Sequence, residues 1–469
     1  MHRPEPNVDP AGRPLVLFDL SRLIARIARP APTGIDRVEL AYARFLIDTP
    51  DFDVAFVACA GDRIRLVDAA IADAVVPWVE GVWAGRDDPA ATARGLARVA
   101  AFLGVAAPAA GEGEDLGPQA AAPAAADVPA SPGFGGPSRA TRFAIDPLGR
   151  LLQNPVRLWA RRPLEPLVAA ARRAGRPLAY LHVSHHNLQK PEPFRRLRDA
   201  GVPMAVMVHD LIPIEHPEFA RPGDDEKHRR RMATVAETAD LVIANSADTA
   251  DRFARHLAAA GGRLPETLVA HLGIPPVAAA AARFDPAPPP YFALVSTIEA
   301  RKNHYFLLNL WRTLAERHGS ATPKLVVVGR RGWEIENVID LLERLPAARA
   351  HVLEAGALTD AALAVVLAGA RAVLMPSLVE GYGLPVVEAL AAGVPVVASD
   401  IAVHAEVGQG LAELVDPLDG PGWARAIEDY AAAGSPRRAA AAARLTAFRP
   451  PTWPAHFATV AAALRRLAR

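Results

Sequence analysis

The stretch LMPSLVEGYGLPVVEALAAGVPVVASD, residues 374–400, decides the fold class of this chain. An apolar strand pattern ends at Met375, a loop containing Gly381 and Gly383 follows, and a helical pattern begins near Leu384. A second apolar run, VPVVAS, comes after the helix. Unbroken runs of Val, Leu and Ala are typical of parallel strands that are buried on both faces. The stretch therefore predicts one strand–helix–strand unit of an α/β domain.

The same alternation of short apolar runs and helical patterns extends over most of the chain. The first series of candidate strands is Leu15–Phe18, Val54–Ala58, Leu178–Val183, Met204–Val208 and Leu241–Ala244. The second series is Tyr291–Val295, Lys324–Val328, His351–Leu353, Ala372–Met375 and Val394–Ala398. Because helical patterns separate most of these runs, the sequence predicts two doubly wound domains with parallel sheets.

The length of 469 residues also favours two domains, since single cores stop growing well below that size. A stretch rich in proline and alanine, Pro275–Pro290, separates the two series of strands. We predict an N-terminal domain over residues 1–275, a second domain over 288–440, and a helix within 441–469 that packs back on the first domain.

Two segments of the first domain have unusual composition. The residues from about 105 to 140 are mostly Ala, Pro and Gly, which cannot build a core, so we predict a disordered insertion there. Residues 141–176 are rich in arginine and in interleaved apolar residues, which predicts a basic helical segment. Such a helix packs on its own domain or touches an anionic membrane surface.

Composition limits the possible functions and compartments. The net charge of +1 argues against nucleic-acid binding, which usually needs a strongly basic domain. The single cysteine, Cys59, cannot form an internal disulfide, which favours a reducing compartment. The first residues, MHRPEPNVDP, lack the apolar core of a signal peptide, and the sequence has no apolar run long enough to span a membrane. We therefore expect a cytoplasmic protein that at most touches the inner face of the membrane.

The Glu380-Gly381-Tyr382-Gly383 loop has the features of a phosphate site. Glycines ahead of a helix expose backbone N–H groups, and the helix dipole adds partial positive charge at the same point. The loop follows a predicted parallel strand, at the sheet edge where ligands of α/β domains bind. A carboxylate beside phosphate is electrostatically unfavourable, so Glu380 and Glu388 are better suited to bind hydroxyl groups of ribose or a sugar.

A pair of cations, Arg301 and Lys302, lies between another predicted strand and the helix after it. The chain contains only four lysines, so a lysine at this position is informative. Two cations at a helix N-terminus oppose the dipole and should cost stability unless an anion binds there. A guanidinium fork and an ammonium point charge both suit a diphosphate.

Polar residues at other strand ends suggest a second wall of the pocket. His209 follows one predicted strand of the first domain, and His185 and His186 follow another. Thr33 and Gly34 lie between the first strand and the helix after it, where Gly34 permits a tight turn. The histidines do not have a metal-ligand spacing, so we predict no metal site.

Several of these segments resemble glycosyltransferase family four, also called group 1. The resemblance is carried by EGYGLPVVEALAAGVPVVASD, STIEARKN, VMVHDLIPIEHPEF, ADLVIANSADTADRF and PTGIDRVELAYARFL. The last of these is similar to a bacterial branch of the family. The resemblance implies a GT-B fold, in which two Rossmann-like domains face a central cleft. It implies a retaining transfer of a sugar from a nucleotide-diphosphate donor to a glycan or lipid-linked acceptor, without a metal or other cofactor.

The resemblance also implies roles for the residues named above. The implied catalytic residues are Arg301, Lys302, Glu380 and His209, with the two cations neutralising the leaving diphosphate. The implied donor-binding residues are Gly381, Tyr382, Gly383, Leu384 and Glu388, of which Glu388 would hold the ribose. The implied acceptor-side residues are Thr33, Gly34, His185 and His186. Two alternatives stay open, a nucleotide-sugar epimerase of the same fold and a catalytically inactive nucleotide-binding protein.

Overall fold

A computed structural model describes residues 12–27, 32–84, 88–108, 159–275 and 282–469 of the chain. The predicted insertion lies outside the described residues from position 109 onward. The N-terminal half of the predicted basic helical segment, residues 141–158, also lies outside them.

The first domain is built on an eight-stranded sheet in the order β4-β3-β2-β1-β5-β6-β7-β8. Its strands are β1 Leu15–Asp19, β2 Asp53–Ala60, β3 Arg63–Val67, β4 Ala160–Pro163, β5 Leu178–His182, β6 Met204–Val208, β7 Leu241–Ala244 and β8 Glu266–Val269. Pairing is parallel from β2 through β1 to β8, and antiparallel at the β2–β3–β4 edge.

The second domain is built on a six-stranded parallel sheet in the order β11-β10-β9-β12-β13-β14. Its strands are β9 Tyr291–Val295, β10 Lys324–Val328, β11 Val352–Gly356, β12 Val373–Met375, β13 Val396–Ser399 and β14 Glu413–Val415. The first strand of this sheet, β9, lies in the middle, so the chain reverses its direction of travel between β9 and β12. Such a switch point opens a crevice at the carboxyl edge of the sheet.

Helices connect the strands on both faces of each sheet. In the described part of the first domain they are α1 Ser21–Arg26, α2 Gly34–Asp48, α3 Ala69–Ala84, α4 Pro89–Leu103, α5 Glu165–Arg173, α6 Glu192–Asp199, α7 Ile212–Glu215, α8 Asp224–Thr238 and α9 Ala247–Ala259. After it come α10 His304–His318, α11 Glu336–Arg344, α12 Pro346–His351, α13 Asp360–Gly369, α14 Leu384–Ala391, α15 Ala402–Val407, α16 Gly420–Ala431, α17 Pro436–Arg444 and α18 Trp453–Leu467.

The predicted fold class is confirmed, because two α/β domains with parallel sheets face each other in the GT-B arrangement. All ten predicted strands form, with shifts of one to three residues at some ends. The sequence analysis missed β3, β4, β8 and β14. These strands are short and carry charged residues, so their apolar pattern is weak. Three of them, β4, β8 and β14, lie at sheet edges, where charged residues are common.

The last helix of the chain, α18, lies against the first domain. The ring of Phe457 stacks on Phe45 with a centroid distance of 4.2 Å, and the Tyr42 hydroxyl lies 2.7 Å from His456 Nε2. The amide of Leu178 donates to the carbonyl of Ala468 just beyond the helix. The C-terminal segment therefore returns from the second domain to the first.

The described part of the predicted basic helical segment contains a strand, β4, and a helix, α5. It is therefore not one continuous helix. Leu164 and Val168 are buried in the core of the first domain, and Leu167 packs partly against it. The apolar side of α5 therefore faces the protein interior. Within the described residues, no helix combines the length and the apolar character that crossing a bilayer needs.

Candidate active site

Two neighbouring strands of the second sheet carry the predicted phosphate features. Arg301 and Lys302 follow β9, and the Glu380–Gly383 loop follows β12. These strands pair at the switch point, so the two loops meet at the same crevice. The amide of Leu378 donates to the carbonyl of Arg301 at 2.8 Å and fixes one loop against the other.

The two cations share Glu380 as a partner. Arg301 Nη1 donates to Glu380 Oε2 at 2.6 Å, and Lys302 Nζ donates to Glu380 Oε1. Ser377 Oγ donates to the same Oε1 at 2.7 Å, and Arg301 also pairs with Glu299. The sequence analysis did not predict these carboxylate partners for the two cations. Two cations and two carboxylates form a buried cluster without net charge.

Burial and charge compete in this cluster. Burial pushes the pKa of Glu380 up, but the charges of Lys302 and Arg301 outweigh burial and hold that pKa well below its usual range. Burial lowers the pKa of Lys302, and the charge of Glu380 opposes the shift. The two cations therefore stabilise the ionised form of Glu380, and the charge of Glu380 stabilises the charged forms of Arg301 and Lys302.

The glycine loop after Glu380 is shaped for close approach. Gly383 has a φ of +88°, which a residue with a side chain rarely adopts. A Cβ atom at Gly381 would lie only 2.8 Å from the carbonyl oxygen of His209. Among the described residues, the amides of Gly381, Tyr382, Gly383 and Leu384 donate to no protein acceptor. Four N–H groups at the start of α14 are therefore available to a ligand.

The side chain of Tyr382 points away from these amides. Its hydroxyl donates to the carbonyl of Leu272 in the first domain at 3.1 Å, and its ring lies 6.2 Å from that of His271. Tyr382 therefore anchors the loop to the first domain, while its backbone faces the crevice.

The first domain places His209 opposite the glycine loop. The Nε2–H group of His209 donates to the carbonyl of Val183 at 2.8 Å, which leaves Nδ1 as the nitrogen with a lone pair. Burial lowers the pKa of His209 to about 4, against the opposing effects of Val183 and Asp210. The ring is therefore neutral at neutral pH. Thr249 Oγ1 of the first domain donates to Gly381 O at 3.2 Å and so links the first domain to the glycine loop.

The predicted acceptor-side residues divide into two groups. His185 accepts a hydrogen bond at Nε2 from the amide of His209, and His186 lies half-buried beside it at the carboxyl edge of the sheet. Thr33 caps α2 in a reciprocal pair with Asp36. A Cβ atom at Gly34 would lie 3.7 Å from Leu384 Cδ1. Gly34 therefore lies beside the glycine loop.

Glu388 lies one turn inside α14 and meets the first domain across the crevice. Its Oε1 atom is 3.7 Å from Arg37 Nη1 on α2. Burial raises the pKa of Glu388, and the charge of Arg37 opposes this shift. The sequence analysis did not single out Arg37, although the residue lies in the quoted segment PTGIDRVELAYARFL. Its partner, Glu388, lies in the other domain, so the spacing of residues in the sequence did not indicate the contact.

Replacing Arg37 by glutamine should weaken nucleoside diphosphate binding, with a larger loss in mild acid. Without the arginine charge the pKa of Glu388 rises further, so the carboxyl group becomes protonated at a higher pH and accepts ribose hydroxyls less well. We expect a loss of about threefold at pH 8 and about tenfold at pH 6, measured by calorimetry. Arg44→Gln on the same helix, where Arg44 pairs with Glu80, is the control. An equal loss for a 2′,3′-dideoxynucleotide would contradict a role through ribose.

A second contact across the crevice was also missed. Glu406, on α15, accepts hydrogen bonds from the amides of Ala247 at 2.7 Å and Asp248 at 3.1 Å, at the start of α9. His271 Nε2 lies 2.7 Å from the same carboxylate. The two domains are thus joined on both sides of the glycine loop. Within the described residues, no cluster of three His, Cys, Asp or Glu side chains could hold a metal ion.

The family comparison fits this geometry. Residues 289–432 match the model of the family described as "Glycosyl transferases group 1". This part of the chain is similar to the domains that the model describes. The matched residues contain Arg301, Lys302, the glycine loop and Glu388.

Two curated relatives are mannosyltransferases of Escherichia coli. The chain is 29% identical over 251 residues to the serotype-specific mannosyltransferase WbdA, covering 50% of this chain and 31% of WbdA. It is 35% identical over 129 residues to the O-antigen chain mannosyltransferase B, covering 28% of this chain and 33% of that protein. The matches therefore span about a third of each relative.

Among solved structures, the chain is similar to the Anabaena protein HepE in complex with UDP-glucose. The sequence identity is 19% and the TM-score is 0.49, covering 68% of this chain and 84% of HepE. A sucrose-phosphate synthase from Thermosynechococcus elongatus is 20% identical with a TM-score of 0.47, covering 66% of this chain and 81% of the synthase.

Proposed function

We propose that the chain transfers a sugar from a nucleotide-diphosphate donor to a glycan or lipid-linked acceptor, with retention of anomeric configuration and without a metal ion. The observation that carries the proposal is the donor-side crevice. There the buried Arg301–Lys302–Glu380 cluster lies beside four unengaged backbone amides, opposite the neutral ring of His209.

The reaction follows from the charge that develops when the anomeric bond breaks. Negative charge grows on the leaving phosphate, and preorganised N–H dipoles and cations stabilise it. The amides of Gly381–Leu384 and the dipole of α14 supply the dipoles, and Arg301 and Lys302 supply the cations. Glu380 keeps these cations in place before the donor arrives and accepts hydrogen bonds from hydroxyl groups of the donor sugar.

His209 and Glu388 orient the two ends of the donor. The lone pair on His209 Nδ1 accepts a hydrogen bond from a sugar hydroxyl, because the opposite ring nitrogen is committed to Val183. Glu388 accepts from the ribose hydroxyls. Holding both ends in one geometry gives the positional advantage on which group transfer depends.

We propose mannose as the donor sugar, on the basis of the two relatives that are named mannosyltransferases. A panel of nucleotide-diphosphate sugars incubated with the full chain tests this choice. We expect release of the nucleoside diphosphate from a mannosyl donor, faster when an acceptor glycan is present. Isomerisation of the donor without any acceptor would instead identify an epimerase. Proton NMR of the product reports whether the anomeric configuration is retained.

A further inference from the structure

A half-buried arginine, Arg231, lies above the carboxyl edge of the first sheet and is not used by the proposed chemistry. It belongs to α8, one turn after His228. Arg231 Nε is 3.4 Å from Gln189 Oε1, and Arg231 Nη1 is 3.5 Å from His228 Nδ1. The Nε2–H group of His228 donates to the carbonyl of Asp210, which follows β6. The arginine therefore lies over the same edge as His209.

The charge of Arg231 has no direct counterion. Within the described residues, its guanidinium contacts only the two neutral groups above, at long distances, and the carboxylates of Asp224 and Asp210 act on its charge from beyond ion-pair distance. By contrast, Arg22 pairs with Asp36 at 2.6 Å. Burial lowers the pKa of Arg231, but a guanidinium stays charged in proteins. A half-buried cation without an anion in direct contact is unfavourable, and an incoming anion would offset that cost.

The neighbours of Arg231 connect it to the donor side. The ring of His228 lies 4.9 Å from that of His185, and the ring of His185 lies 5.2 Å from that of His209. Burial and the surrounding positive groups lower the pKa of His185, so this ring brings no charge at neutral pH. A row of three rings thus separates Arg231 from the glycine loop. An anion at Arg231 would therefore lie at the same edge of the first sheet as His209, beyond these rings.

We infer that Arg231 and Gln189 bind a phosphate group of the acceptor, with His228 positioning the guanidinium. A guanidinium fork engages two phosphate oxygens and leaves a third for the amide group of Gln189. The inference rests on the proposed function and names its acceptor class, a molecule with a phosphate near the hydroxyl that receives the sugar. Sugar phosphates and lipid phosphates share this chemistry.

Calorimetry with inorganic phosphate tests the site on the full chain, with the donor site saturated by a nucleoside diphosphate. We expect Arg231→Gln to weaken phosphate binding at least tenfold, and Arg231→Lys to recover part of it. Arg230→Gln is the matched control, because Arg230 is the exposed neighbour that pairs with Glu226. It should leave the affinity within about twofold of the wild type. Melting temperatures show whether each variant is folded.

Three results would overturn the inference: no phosphate binding by the wild type, equal binding by Arg231→Gln, or equally tight binding of glucuronate. Competition by a hexose 6-phosphate and by a short-chain isoprenyl phosphate then shows whether the site prefers a sugar phosphate or a lipid phosphate. Nucleoside diphosphate binding is measured on the same samples. If the wild type binds phosphate but no nucleotide, the proposed function fails, and the anion site stands by itself.

Discussion

Replacing Lys302 by methionine should lower turnover about a hundredfold, or about 3 kcal/mol in the transition state. The lysine charge matters most when the leaving diphosphate forms, so the maximal rate should fall more than donor affinity. Lys302→Arg should recover only part, because a planar fork does not replace a compact ammonium. Turnover and donor affinity are measured with the full chain. Lys227→Met, at an exposed lysine on α8, is the control.

Stability should fall together with turnover, which reverses the expectation from the sequence. The helix dipole alone predicts that losing a cation ahead of α10 is harmless. In the structure, Lys302 is buried and its loss leaves Glu380 with Arg301 and Ser377 only. Removing one partner of a buried pair costs about 3 kcal/mol.

The double variant Lys302→Met/Glu380→Gln separates the two effects. Removing both charges should restore much of the melting temperature, because no buried carboxylate is left without its ammonium partner. Turnover should stay low, because the lysine charge that would stabilise the leaving diphosphate is still missing. Near-normal turnover in Lys302→Met would reject the diphosphate role. If the double variant is no more stable than Lys302→Met, the buried pair of Lys302 and Glu380 does not explain the loss of stability.

The fold was predictable because each core strand is marked as apolar by its own residues, without reference to distant parts of the chain. Each predicted strand of the second sheet is a short, mostly apolar run between helical patterns, and such runs indicate burial. The stretch around Gly383 also predicts the turn, since its positive φ and the start of α14 are local properties. The missed strands, such as β14, have no clear apolar pattern of their own and are recognised only by their pairing with a neighbouring strand.

The pairing of charges in the site was not predictable from spacing. Lys302 and Glu380 lie 78 positions apart, and their contact exists because β9 and β12 are neighbours in the sheet. Arg37 and Glu406 reach the other domain, so their roles depend on how the two sheets face each other. Sequence motifs therefore singled out the charged residues of the second domain one by one, while their pairing depended on the topology.

The contact of Glu406 with α9 should hold the domains together in the absence of ligand. Burial raises the pKa of this carboxylate, but hydrogen bonds from His271, Ala247 and Asp248 outweigh burial and hold it below its ordinary value. A depressed carboxylate pKa means that the contact is present through neutral pH. The contact should weaken only in acid, as pH falls through the lowered pKa and the group takes up a proton.

Glu406→Ala should therefore open the chain and lower kcat/KM. Two hydrogen bonds from a helix N-terminus to a carboxylate contribute about 2 kcal/mol, or about a thirtyfold change in the ratio of closed to open molecules. The radius of gyration from small-angle X-ray scattering should increase in the ligand-free variant. Saturating donor should reverse the increase, because the donor contacts both walls of the crevice and favours the closed state.

Glu428→Ala is a closely matched control for this test. Glu428 also pairs with a histidine, His318, at 2.8 Å, but both residues lie in the second domain. The two variants should therefore differ in radius of gyration and kcat/KM while losing similar stability. Glu406→Gln should keep a larger share of the closed state than Glu406→Ala, because an amide oxygen still accepts from the α9 amides. If Glu406→Ala matches Glu428→Ala in both measurements, the contact packs the domains without controlling their closure.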